Sequence, residues 1–403
     1  MSRCIPLLAA VVLLSGISCR GDEVVAPTVN EGPDLASAAT AALAFYQVSG
    51  GLGHTCGLTL DHRLYCWGVS YLGNGTTSGS TAPVAVSTTL RFQQVSSGSS
   101  HTCAVTTDYR AYCWGLNGDG ALGDGTQTDR LKPVPVAGGL RFRQVESGDE
   151  VTCGVTYPDN RAYCWGYHAE GGVGDGTFQP RIRTTPSAVA GGLRFRQVSV
   201  GGGHYPYAGH SCGVTTSDEA FCWGRNHFGQ LGNGSNGSPS FAPVRVVGGH
   251  RFRQISAGSD YTCAVTTGNR AFCWGNGRHG QIGDGKTFLR FSPSAVAGGH
   301  SFERITTGEF HTCAETTLNR AYCWGLNRAD AAGAVGDGTT TQRLTPVPVV
   351  GGLFFSQVSA GYTHTCGRTD SGAAYCWGTN GHGQLGDGTT TTRLRPVRVI
   401  GPR

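Results

Sequence analysis

The chain alternates apolar and polar residues in short bursts broken by glycine and asparagine. The stretch after Phe92 shows the pattern most clearly. Phe92-Gln93-Gln94-Val95-Ser96 reads as a strand ended by Gly98. His101-Thr102-Cys103-Ala104-Val105-Thr106 reads as a second, Asp108 and its neighbours turn the chain, and Ala111-Tyr112-Cys113-Trp114-Gly115 returns. A Gly/Asn-rich loop runs through Gly123-Asp124-Gly125-Thr126 to Pro133-Val134-Pro135-Val136, short and Pro-containing as an edge strand should be. Period-two alternation puts Cys103, Val105, Ala111 and Cys113 on one face of the hairpin and Tyr112 and Trp114 on the other. Each sheet therefore has a small-residue side and an aromatic side. Stacked sheets need that asymmetry, because the bulk of one fills the hollow of the next.

This unit is written seven times. The pairs Cys56/Cys66, Cys103/Cys113, Cys153/Cys164, Cys212/Cys222, Cys263/Cys273, Cys313/Cys323 and Cys366/Cys376 each end in Cys-Trp-Gly. All seven tryptophans (Trp67, Trp114, Trp165, Trp223, Trp274, Trp324, Trp377) sit in that element, between 47 and 58 residues apart. A period near 50 with strand-like content predicts a propeller or a solenoid.

The cysteines lie ten residues apart in six units, and eleven apart where Tyr157-Pro158-Asp159-Asn160 lengthens the turn. Opposed residues of an antiparallel pair can come within disulfide range, above all at non-hydrogen-bonded positions. One disulfide per blade is the expectation. Zinc is the competing reading, but structural zinc sites use close Cys-x-x-Cys or Cys/His knuckles, and no pair here has that spacing.

The N-terminus changes the picture of location. Arg3 precedes an apolar run from Leu7 to Leu14, too short to span a bilayer. Gly16-Ile17-Ser18-Cys19 then resembles a bacterial lipoprotein signal, in which Cys19 would be lipidated and become the first mature residue. Gly16 stands where Leu is usual, so secretion with simple cleavage is the alternative. Arg20 after the cysteine, rather than Asp, favours the outer membrane where the host has one. Setting aside Cys4 and Cys19 leaves fourteen cysteines, an even number, as expected of an exported chain. Residues 1–18 thus read as a signal, 19–44 as an Ala/Pro/Ser-rich tether, and 45–403 as the repeat domain. Arg20-Gly21-Asp22 would lie against the anchor and reads as chance. A net charge of +5 does not argue for nucleic acid or membrane binding.

Gly-x-x-His-Thr-Cys, Cys-Trp-Gly and Asn-x-x-Gly-Gln-Leu-Gly-Asp-Gly-Thr together resemble the repeat of the regulator of chromosome condensation family. The cleanest copy is Gly361-Tyr362-Thr363-His364-Thr365, Trp377-Gly378 and Asn380-Gly381-His382-Gly383-Gln384-Leu385-Gly386. The resemblance covers about residues 45 to 400. It implies a seven-bladed β-propeller of four-stranded antiparallel blades, with N- and C-terminal strands sharing one blade to close the ring. The family's founding member exchanges guanine nucleotides on a nuclear GTPase and binds chromatin, partners that an exported, disulfide-bonded chain would not meet.

Most polar residues of the repeat read as structural. His54, His101, His311 and His364 share one position, with His204 or His210 as the counterpart in unit four. Val151 and Tyr261 occupy it elsewhere, so it reads as a packing site rather than a ligand or base. Asp124, Asp175, Asp284, Asp337 and Asp387 tempt toward calcium, but they come one per unit, and Asn74 and Asn233 replace two of them. Turn formation explains Asp/Asn-Gly, whereas calcium gathers six to eight oxygens.

Two features stand apart. Arg141/Arg143, Arg194/Arg196 and Arg251/Arg253 flank the Phe that opens units three to five and would make one arc of the ring basic, suited to an acidic protein patch or an anionic glycan. Solvated blade edges are the bland reading. Unit four carries an insertion, Tyr205-Pro206-Tyr207-Ala208-Gly209, and tyrosines on a rim are good anchors for a partner. Unit six widens its loop at Asn327-Arg328-Ala329-Asp330-Ala331-Ala332. No unique nucleophile–base set or nucleotide-binding glycine loop stands out. The expected function is an exported or lipid-anchored monomer that binds another protein or a surface polymer through its loops, without catalysis, cofactor or metal. A glycan-binding protein or hydrolase at the channel is the alternative, and a nucleotide-exchange regulator the family analogy.

Overall fold

A computed structural model describes residues 43–202, 209–328 and 331–402. They form seven four-stranded antiparallel sheets, each made of four consecutive strands. The inner strands, which number the blades one to seven, are Phe45–Gly50, Phe92–Ser97, Phe142–Ser147, Phe195–Val200, Phe252–Ala257, Phe302–Thr307 and Gln357–Ala360. Blade two shows the plan, with Phe92–Ser97, His101–Thr106, Ala111–Gly115 and the outer strand Arg130–Pro135. Outer strands are the least buried, and each carries its proline there, where a missing N–H leaves no ladder bond unmade.

In every blade the cysteine of the second strand faces the cysteine of the third directly in the register. All seven expected pairs are bonded: Cys56 to Cys66, Cys103 to Cys113, Cys153 to Cys164, Cys212 to Cys222, Cys263 to Cys273, Cys313 to Cys323 and Cys366 to Cys376. Their Cα atoms are 4.0 to 4.1 Å apart, the close approach of non-hydrogen-bonded positions. The extra residue between Cys153 and Cys164 is taken up by the turn, and the register across that pair is unchanged. The expected two-sidedness of each sheet is also present. Cys103, Val105, Ala111 and Cys113 of blade two pack on Phe142, Val145 and Trp165 of blade three. The same layering joins blade one to two, three to four and four to five. All seven tryptophans are fully buried. In six blades the indole N–H also donates to a loop carbonyl of the preceding blade, as Trp67 Nε1 does to Gln384 O at 2.9 Å. Blade one has a shorter loop, and the Trp114 indole finds no acceptor.

Ring closure differs from the expectation. Among the described residues each of the seven sheets is built from four consecutive strands, the first starting at Phe45 and the last ending at Arg398, so none is shared between the two ends. Blade seven instead packs its disulfide face, Cys366 and Cys376, on Phe45, Val48 and Trp67 of blade one, a seam built like the other six.

A free inner edge on every sheet raises an accounting question, since its N–H and C=O groups lack ladder partners. Glutamine answers it. Gln47 Nε2 donates to Val95 O at 2.9 Å while its Oε1 accepts from Val95 N at 3.0 Å. Gln94, Gln144, Gln197, Gln254 and Gln357 clamp Val145, Val198, Ile255, Ile305 and Val48 in the same way. Beside five of these six clamps a hydroxyl takes one more N–H across the seam, as Ser49 does from Ser97 at 2.9 Å, and Thr306 takes that of Ala360 between blades six and seven. Replacing Gln254 with Leu strands both groups of Ile305, and unpaired groups of this kind cost about 1–3 kcal/mol each. A Gln254→Leu variant should therefore unfold at lower denaturant by about 2 kcal/mol or more of lost stability, read from equilibrium titration.

Candidate functional site

The propeller offers two faces and a channel between them. One face carries the hairpin turns between second and third strands, the other the long Gly-rich loops. The channel is lined by the inner strands and contains a cavity of about 500 Å3 walled by Gln47, Gln197, Gln254, Gln357, Arg253 and Arg304. A smaller space of about 120 Å3 lies toward the loop face, among Ser96, Ser97, Ser147, Ser199 and Glu146. Glu146 replaces the serine or threonine found at this level in the other blades. It accepts from Gln144 Nε2 at 2.9 Å and Ser96 Oγ at 3.2 Å. Burial pushes its carboxyl up to about 7, and those two hydrogen bonds offset only part of the shift. The channel lining is otherwise mostly hydroxyls and carboxamides.

The cysteines contribute nothing to this channel or to either face. On the third strands Cys66, Cys113, Cys164, Cys222, Cys273, Cys323 and Cys376 are fully buried, as are their partners on the second strands, so each bridge is a clamp inside a seam and not a reactive thiol.

The histidines are structural, as the variability of their position implied. His54, His101, His210, His311 and His364 each bond through Nε2 to a threonine of the next blade at 2.7 to 2.8 Å. Four of those threonines donate their own proton to a loop carbonyl, so the imidazole must be the donor. The rings are neutral: burial drops their pKa values to about 3 or 4. Tyr261 takes the place in blade five and donates to His311 O at 2.5 Å.

The aspartates of the Gly-Asp-Gly loops are structural too. Asp124 Oδ1 accepts from Thr126 N and Oγ1, and its Oδ2 takes a salt bridge from Arg130 on the outer strand at 2.8 Å. Asp175, Asp284, Asp337 and Asp387 meet Arg183, Arg290, Arg343 and Arg393 likewise. Burial raises the Asp124 carboxyl, but the bonds from Thr126 and Arg130 outweigh it and hold the group below its usual range. Asn74 and Asn233 keep the bonds of the turn, from the N–H and hydroxyl of Thr76 and Ser235.

The arginine arc divides in two. Arg143, Arg196 and Arg253 turn inward and donate to inner-strand carbonyls of the next blade: Arg143 to Phe195 O, Arg196 to Phe252 O, Arg253 to Phe302 O. Arg141, Arg194 and Arg251 stay exposed on the turn face, and acids sit among them. Asp159 lies 3.9 Å from Arg194, Glu219 3.9 Å from Arg251, and Asp218 2.7 Å from Arg196. Asp108 is held low first by the Thr106 hydroxyl, with help from Arg110 and Arg141. Tyr109 and Tyr157 stack on this face with ring centroids 4.1 Å apart.

The loop face holds charges that sequence reasoning passed over. Between blades two and three, Asp119, Asp129, Asp149 and Glu150 line one hollow. Glu150 is pushed up to about 7 by burial and by the neighbouring Asp119 and Asp149. Farther round, Arg225 bridges Asp260 at 3.1 Å and Glu170 at 3.6 Å. Arg225 and Arg278 both lie over the Phe228 ring. His279 is lowered by burial and by Arg328 and Arg278. One arc of this face is thus acidic and another pairs arginines with acids, a pattern that emerges only when loops distant in sequence are brought side by side. Tyr205, Tyr207 and His204 lie outside the described residues, between Gly202 and Gly209. Cys19, the signal and most of the tether also lie outside them, as do Ala329 and Asp330 of the widened loop.

Comparison with known proteins places this architecture. The model for the regulator of chromosome condensation (RCC1) repeat matches residues 61–105, 109–155, 217–265, 269–314 and 371–403, more than half of the chain. The chain belongs to the RCC1 repeat family. A second model of the RCC1 repeat matches stretches that include 45–74, 92–121 and 355–384. The ultraviolet-B receptor UVR8 of Arabidopsis thaliana is 30% identical over 225 residues, 55% of this chain and 49% of that protein. The human probable E3 ubiquitin-protein ligase HERC4 is 34% identical over 131 residues, 32% of this chain and 12% of that protein. The chain thus spans about half or less of the curated relatives it matches. Among solved structures, human WBSCR16 superposes with a TM-score of 0.74 at 20% identity, covering 84% of this chain and 94% of that one. Yeast RCC1 (Prp20), solved bound to Kap60, gives 0.72 at 20% identity, with 89% and 85% covered. At these identities the likeness speaks to fold. The RCC1 propeller of this chain carries a disulfide in every blade.

Proposed function

We propose that this RCC1-repeat propeller is an exported binding scaffold, either anchored through Cys19 or secreted, that engages a protein or surface polymer through its loops. The observation that carries the reading is the disulfide in each of the seven blades, a cysteine economy suited to oxidising compartments and foreign to the cytosol. The loop face supports it further. It joins an acidic arc to one of mixed charge, and Gly202 and Gly209, which bracket the Tyr205–Tyr207 insertion in the sequence, lie on that side. Tyrosines and mixed charge are the residue types that suit a protein partner. The exposed Arg141, Arg194 and Arg251 make a second contact surface on the opposite face, tempered by Asp108, Asp159 and Glu219 beside them.

Two other readings are weaker. Glycoside hydrolysis calls for two carboxyl groups flanking the bond. Among the described residues the channel offers Glu146 in its throat and Glu303 at the turn-face side, without a flanking aromatic platform. Nucleotide exchange by analogy with the family's founding member would place the chain in a reducing compartment, against its cysteines.

The test is capture from the native cell envelope with the full chain as bait, beside the Tyr205→Ala/Tyr207→Ala double variant and an Arg141→Ala/Arg194→Ala/Arg251→Ala triple variant. Retention of a partner by wild type, with at least a tenfold loss in the tyrosine variant, is the expected result. Mass mapping without reductant should show the seven intrablade pairs in the mature protein. Free thiols there, or a chain found in the cytosol, would overturn the reading.

A further inference from the structure

Six seams of the ring are closed by a glutamine, and the seam between blades six and seven is not. Arg304 stands in the glutamine's place, extends into the channel and is exposed. The inner edge of blade seven still needs a partner, because the N–H and C=O of Val358 point away from their own sheet. Glu315 supplies half of one. It sits on the second strand of blade six, directly opposite Arg304, where the other blades carry Val105, Val155, Val214, Val265, Leu58 or Arg368. Its side chain is 3% exposed, and its Oε1 accepts from Val358 N. Its Oε2 is buried with no partner. Among the described residues no donor outside the ladder reaches the Val358 carbonyl, whereas the equivalent carbonyl of Val48 receives Gln357 Nε2 at 3.0 Å.

A single proton satisfies both groups. A neutral carboxyl group has the donor–acceptor layout of a carboxamide, one oxygen accepting and the other carrying a hydrogen. We infer that Glu315 closes the blade six–seven seam as a carboxylic acid, its Oε2–H donating to Val358 O, and that losing this proton loosens that seam alone. Ionised, the group can only accept, and a buried oxygen and a buried carbonyl would face each other with nothing between them.

The surroundings agree. Burial pushes the Glu315 carboxyl up to about 7, the Val358 N–H pulls it back, and of the charged groups facing it Arg304 lowers the value while Glu303 raises it. Ala321 lies opposite on the third strand. Blade seven presents Gln357, Val358 and Ser359, none of which titrates. The folded group holds its proton more tightly than an unfolded glutamate, so its contribution is present at acid pH and is lost as pH rises through about 7. The ring thus carries one seam in which a titrating carboxyl group stands in for the glutamine clamp.

Thermal melts of the intact oxidised protein from pH 5.5 to 9 test this with three chains. Glu315→Gln fixes the neutral layout. Its melting temperature should gain about 3–5 °C on wild type between pH 5.5 and 8.5. Arg304→Gln/Glu315→Val rebuilds the clamp of the other six seams, and it should lose the Glu315 share of the decline, leaving that of Glu146. Hydrogen exchange of the peptide around Val358, corrected for intrinsic rate, should quicken as pH rises from 5.5 to about 7.5 in wild type only. A gap between wild type and Glu315→Gln that stays constant across this range would overturn the inference. So would a decline in the double variant as large as that of wild type.

Discussion

Reduced and denatured, the chain is expected not to regain its propeller at neutral pH, and partial reduction should lower its melting temperature by about 20 °C or more. Each disulfide closes a loop of ten or eleven residues, worth about 2–3 kcal/mol on the chain-entropy model. Seven such loops reach about 15–20 kcal/mol, above the 5–15 kcal/mol of net stability usual for a folded domain. The sulfurs are wholly buried, so reductant must act through opened molecules and incubation in mild denaturant is required. Calorimetry before and after reduction, with thiols counted by mass, provides the measurement. A reduced chain that melts where the oxidised one does would show that packing between blades suffices without the bridges. A Cys103→Ala/Cys113→Ala variant should lose about one bridge's share, and it would reveal whether the blades contribute independently.

The repeat is legible because one rule, period two with a disulfide across the hairpin, is stated seven times in the chain. Cys103, Val105, Ala111 and Cys113 share a face in the sequence pattern and in the packed seam with blade three. The other hairpins follow suit, from Cys56 and Cys66 in the first blade to Cys366 and Cys376 in the last. What lies between sheets is harder to read. The recurring glutamines Gln47, Gln94 and their counterparts look like the polar half of an alternating strand. Alternation says which way a side chain points, not that a neighbouring backbone edge awaits it. For the same reason the pattern groups Arg143, Arg196 and Arg253 with the exposed Arg141, Arg194 and Arg251. Only the geometry shows the inner trio donating across seams. The departure in blade six does carry a signal. Glu315 is a charge at a position otherwise apolar in five of the seven units, paired with Arg304 where glutamine is the habit. Two simultaneous breaks in a repeat indicate one function moved between strands. Ring closure obeys the phase of this chain, whose first unit is already complete at Phe45, and not the family's habit of a shared blade.

Acid should unfold the propeller steeply below about pH 4.5, after a gentler decline from neutrality, and the sign follows from two opposed groups. His54, His101, His210, His311 and His364 fall from 6.5 to about 3 or 4 on folding. They are neutral in the fold, and the unfolded chain takes up five protons as pH drops below 6.5. Stability due to them is therefore full above that value and is lost toward the folded pKa values. Glu146 and Glu315 act oppositely: raised to about 7, they hold protons in the fold that unfolded glutamates release above 4.5. Half-exposed Glu150 adds a fraction of a third. Between pH 4.5 and 6.5 the surplus on the unfolded side is about two to three protons, or roughly 3–4 kcal/mol per pH unit. Below 4.5 the glutamates protonate in both states, and the histidine slope approaches about 7 kcal/mol per unit until the folded rings themselves titrate. The aspartates held low by arginine, Asp124, Asp337 and Asp387 among them, begin to add to the loss there. Denaturant unfolding at half-unit steps from pH 8 to 3.5 measures the slope directly. His101→Gln keeps an N–H for Thr152 but cannot titrate, so its slope below pH 4.5 should fall by one proton, about 1.4 kcal/mol per unit. An unchanged slope in that variant would mean that the imidazole is already protonated in the folded ring, and the neutral His–Thr seam would be wrong.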